Sequence, residues 1–156
     1  MDLLLIFHVA VSVIALLWGG LFSLQILQNG LTEARTRIFL LLTLLTSISG
    51  VVLPADKLLP SHLFVALTLL LLAVALYARY SAGLQGRWRP IFLISSLLTF
   101  YLNAFVAVVQ AFMKIPVLQP LAPTQTELPF IIAQLLLLLA FGWLIFRSCR
   151  PGPTQS

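Results

Sequence analysis

Five apolar runs of helical length constrain this chain more than any other feature. They cover about residues 3–27, 38–53, 62–80, 90–113 and 128–146, each near the 17 to 25 residues that a tilted helix needs to cross a bilayer. Charged residues make up 8% of the chain, against about a quarter in ordinary soluble domains. The expected fold is therefore all-α: a bundle of five transmembrane helices, with residues 1–156 as a single domain and no room for a soluble domain beside it. The second run is short and carries Thr43, Thr46, Ser47 and Ser49. A helix in lipid tolerates them because a hydroxyl can bond back to its own backbone.

The breaks between runs have a chemical basis. Asn29 and Gly30 follow the first, Pro54 the second, and Pro60 with Ser61 opens the third. Gly83 and Gly86 close the third helix, and Pro90 suits the first turn of the fourth, where a missing N–H is no loss. Between Ile115 and Glu127, Pro116, Pro120 and Pro123 predict an extended connection. The N-terminal MDLLLIFHVAVSVIALLWGGLFSLQIL has an acidic start, too long an apolar run for a signal peptide and no small-residue cleavage site, so it reads as a retained helix.

Basic residues set the expected orientation. Arg35, Arg37, Arg79, Arg87, Arg89, Arg147 and Arg150 fall on one side of the five runs, with Lys57 and Lys114 on the other. The positive-inside rule then places the N-terminus outside and the C-terminus in the cytoplasm. Arginines spread between apolar segments, rather than along one face, do not point to nucleic acid. The lone Cys149 forms no internal disulfide and supplies no cysteine metal cluster.

Polar residues inside the runs are the candidates for function. At 100° per residue Ser96, Thr99, Asn103, Gln110 and Lys114 share an arc of about 60° on the fourth helix. Lipid satisfies neither amide, so this face must meet the bundle interior, a cavity or another subunit. Asn103 lies about 15 Å from the outer helix end and Gln110 about 5 Å. On the first helix His8, Ser12, Ala15, Gly19 and Ser23 share a face whose small residues permit close helix approach. His62 opens the third helix on the outer side. His8, His62, Asn103, Gln110 and Lys114 thus belong to the outer half, below a loop bearing Gln125 and Glu127 and a second loop bearing Asp56 and Lys57. The inner half is expected to carry arginines at its rim and little else polar in its depth.

These residues outline an outward-facing polar pocket for a small molecule or a partner subunit. Against it stand interhelical hydrogen bonding for the amides, worth about 0.6 kcal/mol on average, and snorkelling for Lys114. Paired imidazoles on different helices raise haem b or quinone between His8 and His62 as the alternative. His8, however, lies about one and a half turns deeper than His62, whereas axial ligands face each other at matched depth. Two histidines without a carboxylate make a poor zinc site, so no metal is expected. Glu127 and Lys114 are read as an exposed ion pair or two solvated charges. No GxSxG, HExxH or CxxC spacing occurs, so the expectation is a non-enzymatic protein. A small transporter is a further alternative, although the paired broken helices of such folds are missing from the pattern. The lipid bilayer is the expected surrounding, with a homo-oligomer or larger membrane complex as partner.

LPSHLFVALTLLLLAVALYARY, YLNAFVAVVQAFMKIPVL and LAPTQTELPF together resemble a family of small bacterial inner-membrane proteins, most of them without an assigned function. The resemblance runs from Leu59 onward and implies a bacterial inner membrane; it brings no activity and no catalytic residue. FHVAVSVIALLWGGLF is similar to the histidine-containing first helix of copper-resistance and haem-pathway membrane proteins, without the remaining ligands of those families.

Overall fold

The computed structural model describes residues 3–28, 30–52 and 60–150, with the backbone alone for residues 60–62. Helix α1 spans Leu3–Leu27, α2 Glu33–Val52, α3 Pro60–Leu76, α4 Trp88–Lys114 and α5 Leu128–Cys149. A π-helical turn, Tyr77–Ser81, continues α3, and a short 3-10 turn, Gln119–Leu121, lies between α4 and α5. No strand occurs among the described residues. Among the described residues five helices are long and apolar enough to cross a membrane, as the five runs predict.

α2 and α5 outrun their apolar segments by the most, and each has a charge at the extended end that favours helix. α2 starts at Glu33 rather than near residue 38. Glu33 sits in the first turn, where the helix dipole favours a carboxylate, and accepts a bond from Arg37 one turn on at 2.8 Å. α5 runs to Cys149 rather than residue 146, with Arg147 in its last turn. Glu33 also pairs with Arg79 of the π-turn, tying α2 to the end of α3.

The connection after α4 departs from the extended chain expected of it. Pro120 stands in the first turn of the 3-10 element, where its fixed φ suits helix and no N–H is required. Bonds from Leu118 N and Gln119 N to Ile115 O, both 3.0 Å, fold the segment back, and Ala122 is buried against the bundle.

Helix directions alternate through the bundle. Phe22 meets Phe39 and His8 meets Ser49 between α1 and α2; Tyr77 meets Trp88 and Phe64 meets Phe105 between α3 and α4; Phe112 meets Phe130 and Phe100 meets Phe141 between α4 and α5. Each pairing runs antiparallel, so Arg35, Arg37, Arg79, Arg87, Arg89, Arg147 and Arg150 gather at one end of the bundle, and Lys114 lies at the other. α4 is central, packing against α1, α2, α3 and α5.

Three phenylalanines organise the core at the arginine end. The rings of Phe22 and Phe39 stack at 4.3 Å, and Phe92 of α4 meets Phe22 edge-on at 6.3 Å. Close approach of α1 and α4 depends on Gly19, where an added Cβ would stand 2.5 Å from the Phe100 ring. Ala15, Gly19 and Ser23 are all buried, so the small-residue face of α1 is indeed its packing face. Large apolar side chains of α5, among them Leu135, Leu136, Leu139 and Trp143, point outward.

Candidate functional site

The polar face of α4 changes character along its length. Ser96 and Thr99 are fully buried; Asn103 is half-buried, and Gln110 and Lys114 are exposed. The helix end alone does not account for this, because Phe112, on the opposite side of α4, is still buried at 7% exposure. Packing therefore closes over the polar side of α4 at Thr99 and leaves the Gln110 side open at the level of Phe112. Phe92, eleven residues before Asn103 on the same side, faces Phe22 of α1.

His8 shows where α1 goes at this end. Its Nδ1 lies 2.8 Å from Ser49 Oγ of α2, and its Cε1 would stand 3.3 Å from a Cβ added to Gly50. Gly50 also adjoins Val65 of α3, so His8 is set into the α1–α2 seam close to α3. Ser12 Oγ donates to the His8 carbonyl at 2.7 Å. Among the described residues His8 has its side-chain bond with α2, and Asn103 has none. His62 lies in the first turn of α3, three residues before Val65; its side chain, and with it the pairing that haem would need, is outside the described residues. Asp56 and Lys57 lie outside them as well.

Glu127 serves its own turn rather than Lys114. Its carboxylate accepts from Thr124 N at 3.1 Å, Thr124 Oγ1 at 2.8 Å and Thr126 N at 3.0 Å. Burial raises its carboxyl pKa, and these bonds from Thr124 and Thr126 outweigh that effect, holding it below the ordinary carboxylate value. Gln125, between the two threonines, adopts a left-handed backbone with φ 60°, which closes the turn. The loop above the open face of α4 is thus a compact cap, not a partner for the lysine.

Buried polar groups lie elsewhere in the bundle too, and of these Gln25, Thr36 and Gln134 were not singled out by the sequence. Gln25 of α1 is 4% exposed with both amide atoms unpartnered, and the hydroxyls of Thr36, Thr43, Thr46 and Ser96 are buried without a partner. This corrects the expectation of an apolar depth behind the arginines. Ser49 bonds back to the Thr46 carbonyl at 3.1 Å as expected for α2, while Thr43 and Thr46 do not bond back. On α5, Gln134 donates to the Phe105 carbonyl at 3.3 Å and leaves its own oxygen unpartnered. An isolated glutamine inside an apolar run is the signal that marks both Gln25 and Gln134.

No family model, curated protein or solved structure matches this chain. What the site can do follows from its chemistry: an amide at mid-helix, a second amide and an ammonium toward the exposed end of α4, and a hydrogen-bonded threonine–glutamate turn in the connection to α5.

Proposed function

We propose that the chain is a non-enzymatic, multi-pass protein of a bacterial inner membrane, with its N-terminus outside and its C-terminus in the cytoplasm. It binds a small polar or amphipathic molecule along the outward end of α4, or a partner subunit on the same face. The observation that carries this reading is the burial gradient from Thr99 through Asn103 to Gln110, opposite a flank that stays buried to Phe112. An amide and an ammonium on an uncovered helix face within a bilayer require a polar partner. The gathering of the arginines at the opposite end supports the orientation, and the segments from Leu59 onward, which resemble small bacterial inner-membrane proteins, support the compartment.

Extraction in a mild detergent, followed by mass spectrometry of everything that copurifies, tests the proposal. The expected result is a polar or amphipathic species, or a second protein chain, that accompanies the wild type and is lost from the Asn103→Leu/Gln110→Leu double variant. A wild type that carries no such species, or a variant that retains it, overturns the reading.

A further inference from the structure

Buried polar atoms on α1, α2 and α4 form a set, densest toward the arginine end. The Phe22–Phe39 stack fixes the register of antiparallel α1 and α2. One turn further toward the α1–α2 connection, each helix presents a buried polar residue, Gln25 on α1 and Thr36 on α2. Neither Gln25 Nε2, Gln25 Oε1 nor Thr36 Oγ1 has a partner. Along the same buried face of α2 follow Thr43 and Thr46, and α4 contributes Ser96, all with unpartnered hydroxyls. Toward the other end of α2 the protein supplies its own partners, with Ser49 Oγ bonded to His8 Nδ1 and to the Thr46 carbonyl.

Hydroxyls elsewhere in the chain behave differently. Ser12, Ser23, Ser95, Thr99 and Ser148 each donate to a carbonyl four residues earlier, at 2.6–2.8 Å. Six unpartnered atoms on three facing helices stand out against that habit. A buried polar atom without a bond costs about 1–3 kcal/mol, and one buried water per about 27 residues, held by two to four partners, is the usual remedy.

From this we infer that ordered water occupies the α1–α2–α4 interface, bridging Gln25 and Thr36 in their shared layer, with separate sites beside Thr43, Thr46 and Ser96 across the Phe22–Phe39 stack. The chemistry selects the guest. Gln25, Thr36, Thr43, Thr46 and Ser96 carry uncharged side chains that both donate and accept, which matches water. The arginines at this end disfavour a cation, and the seam contains no charged donor for an anion.

Two measurements on the whole protein in detergent decide the matter, and neither depends on the occupant of the α4 face. Pulsed X-ray radiolysis generates hydroxyl radicals from water in place. Phe22 and Phe39, at 0% and 1% exposure, are expected to be oxidised well above Phe141, which is also buried but lies away from the seam on α5. That oxidation is expected to fall several-fold in Gln25→Leu/Thr36→Val. The single isosteric change Thr36→Val is expected to lower Tm by about 2–4 °C, because it strips a bridging water of a partner. Phe22 and Phe39 oxidised no more than Phe141 would mean a dry interface or a direct Gln25–Thr36 bond, and overturns the inference. A Tm raised by Thr36→Val marks a hydroxyl that was unbonded and dry, and overturns it too.

Discussion

Gly19 and Gly20 are neighbours on α1 with opposite duties. A methyl on Gly19 would stand 2.5 Å from Phe100, whereas nothing lies within 4 Å of one on Gly20. The Phe100 ring cannot swing away freely, since it sits edge-on to both Phe39 and Phe141. Overpacking of this kind costs about 1–3 kcal/mol, while glycine to alanine inside a helix otherwise gains up to about 1 kcal/mol. Thermal unfolding in detergent is expected to show Gly19→Ala below wild type and Gly20→Ala at or above it. Equal behaviour of the two variants would contradict the tight α1–α4 crossing. The helical period sets Gly19, and not Gly20, in the row of small residues on α1; only the structure shows that Phe100 is what fills the space beside it.

At the scale of elements, the cap of α5 carries a pH dependence. Glu127 is held below its ordinary pKa by the bonds from Thr124 and Thr126 acting against burial. A carboxylate whose folded pKa is depressed contributes stability above its unfolded pKa and loses it as pH falls through the folded value. The turn at Thr124–Glu127 is therefore expected to stay closed at neutral pH and to loosen only below the ordinary carboxylate range. The amide NMR shifts of Thr124 and Thr126 should follow that titration in the wild type and stay flat in Glu127→Gln. Shifts that move in both proteins would assign the titration to another group. The proline count of this connection reads as extended chain in the sequence. A proline in the first turn of a 3-10 element has the same local signature, and the hydrogen bonds to the Ile115 carbonyl decide between them.

For the whole molecule the proposed orientation makes a labelling prediction. The only cysteine, Cys149, is exposed at the end of α5, beside the arginine end of the bundle. A membrane-impermeant thiol reagent is expected to leave it unlabelled in intact spheroplasts and to label it in inverted membrane vesicles. Labelling from outside intact cells would reverse the proposed orientation and turn the open face of α4 toward the cytoplasm. The same reversal would move the Gln25–Thr36 layer to the outer half without changing its chemistry.

Five helices, their order and the segregation of arginine from lysine were decided by the sequence alone. Runs of apolar residues near the length of a bilayer, broken by proline and glycine, leave a chain few other options, because lipid satisfies no backbone polar group. The polar stripe on α4 was legible for the same reason: side-chain direction follows from the helical period. What the stripe meets was decided by tertiary structure, since coverage of a face depends on where α1 and α5 lie, not on the face itself. His8 and Asn103 fall in the same half by sequence, yet His8 turns to Ser49 of α2. Gln25 and Thr36 look like ordinary residues near helix ends, and become a buried pair of unpartnered groups once the Phe22–Phe39 stack sets the register. A periodic pattern states which residues share a side of one helix; only the packing of five helices determines which of those sides are closed.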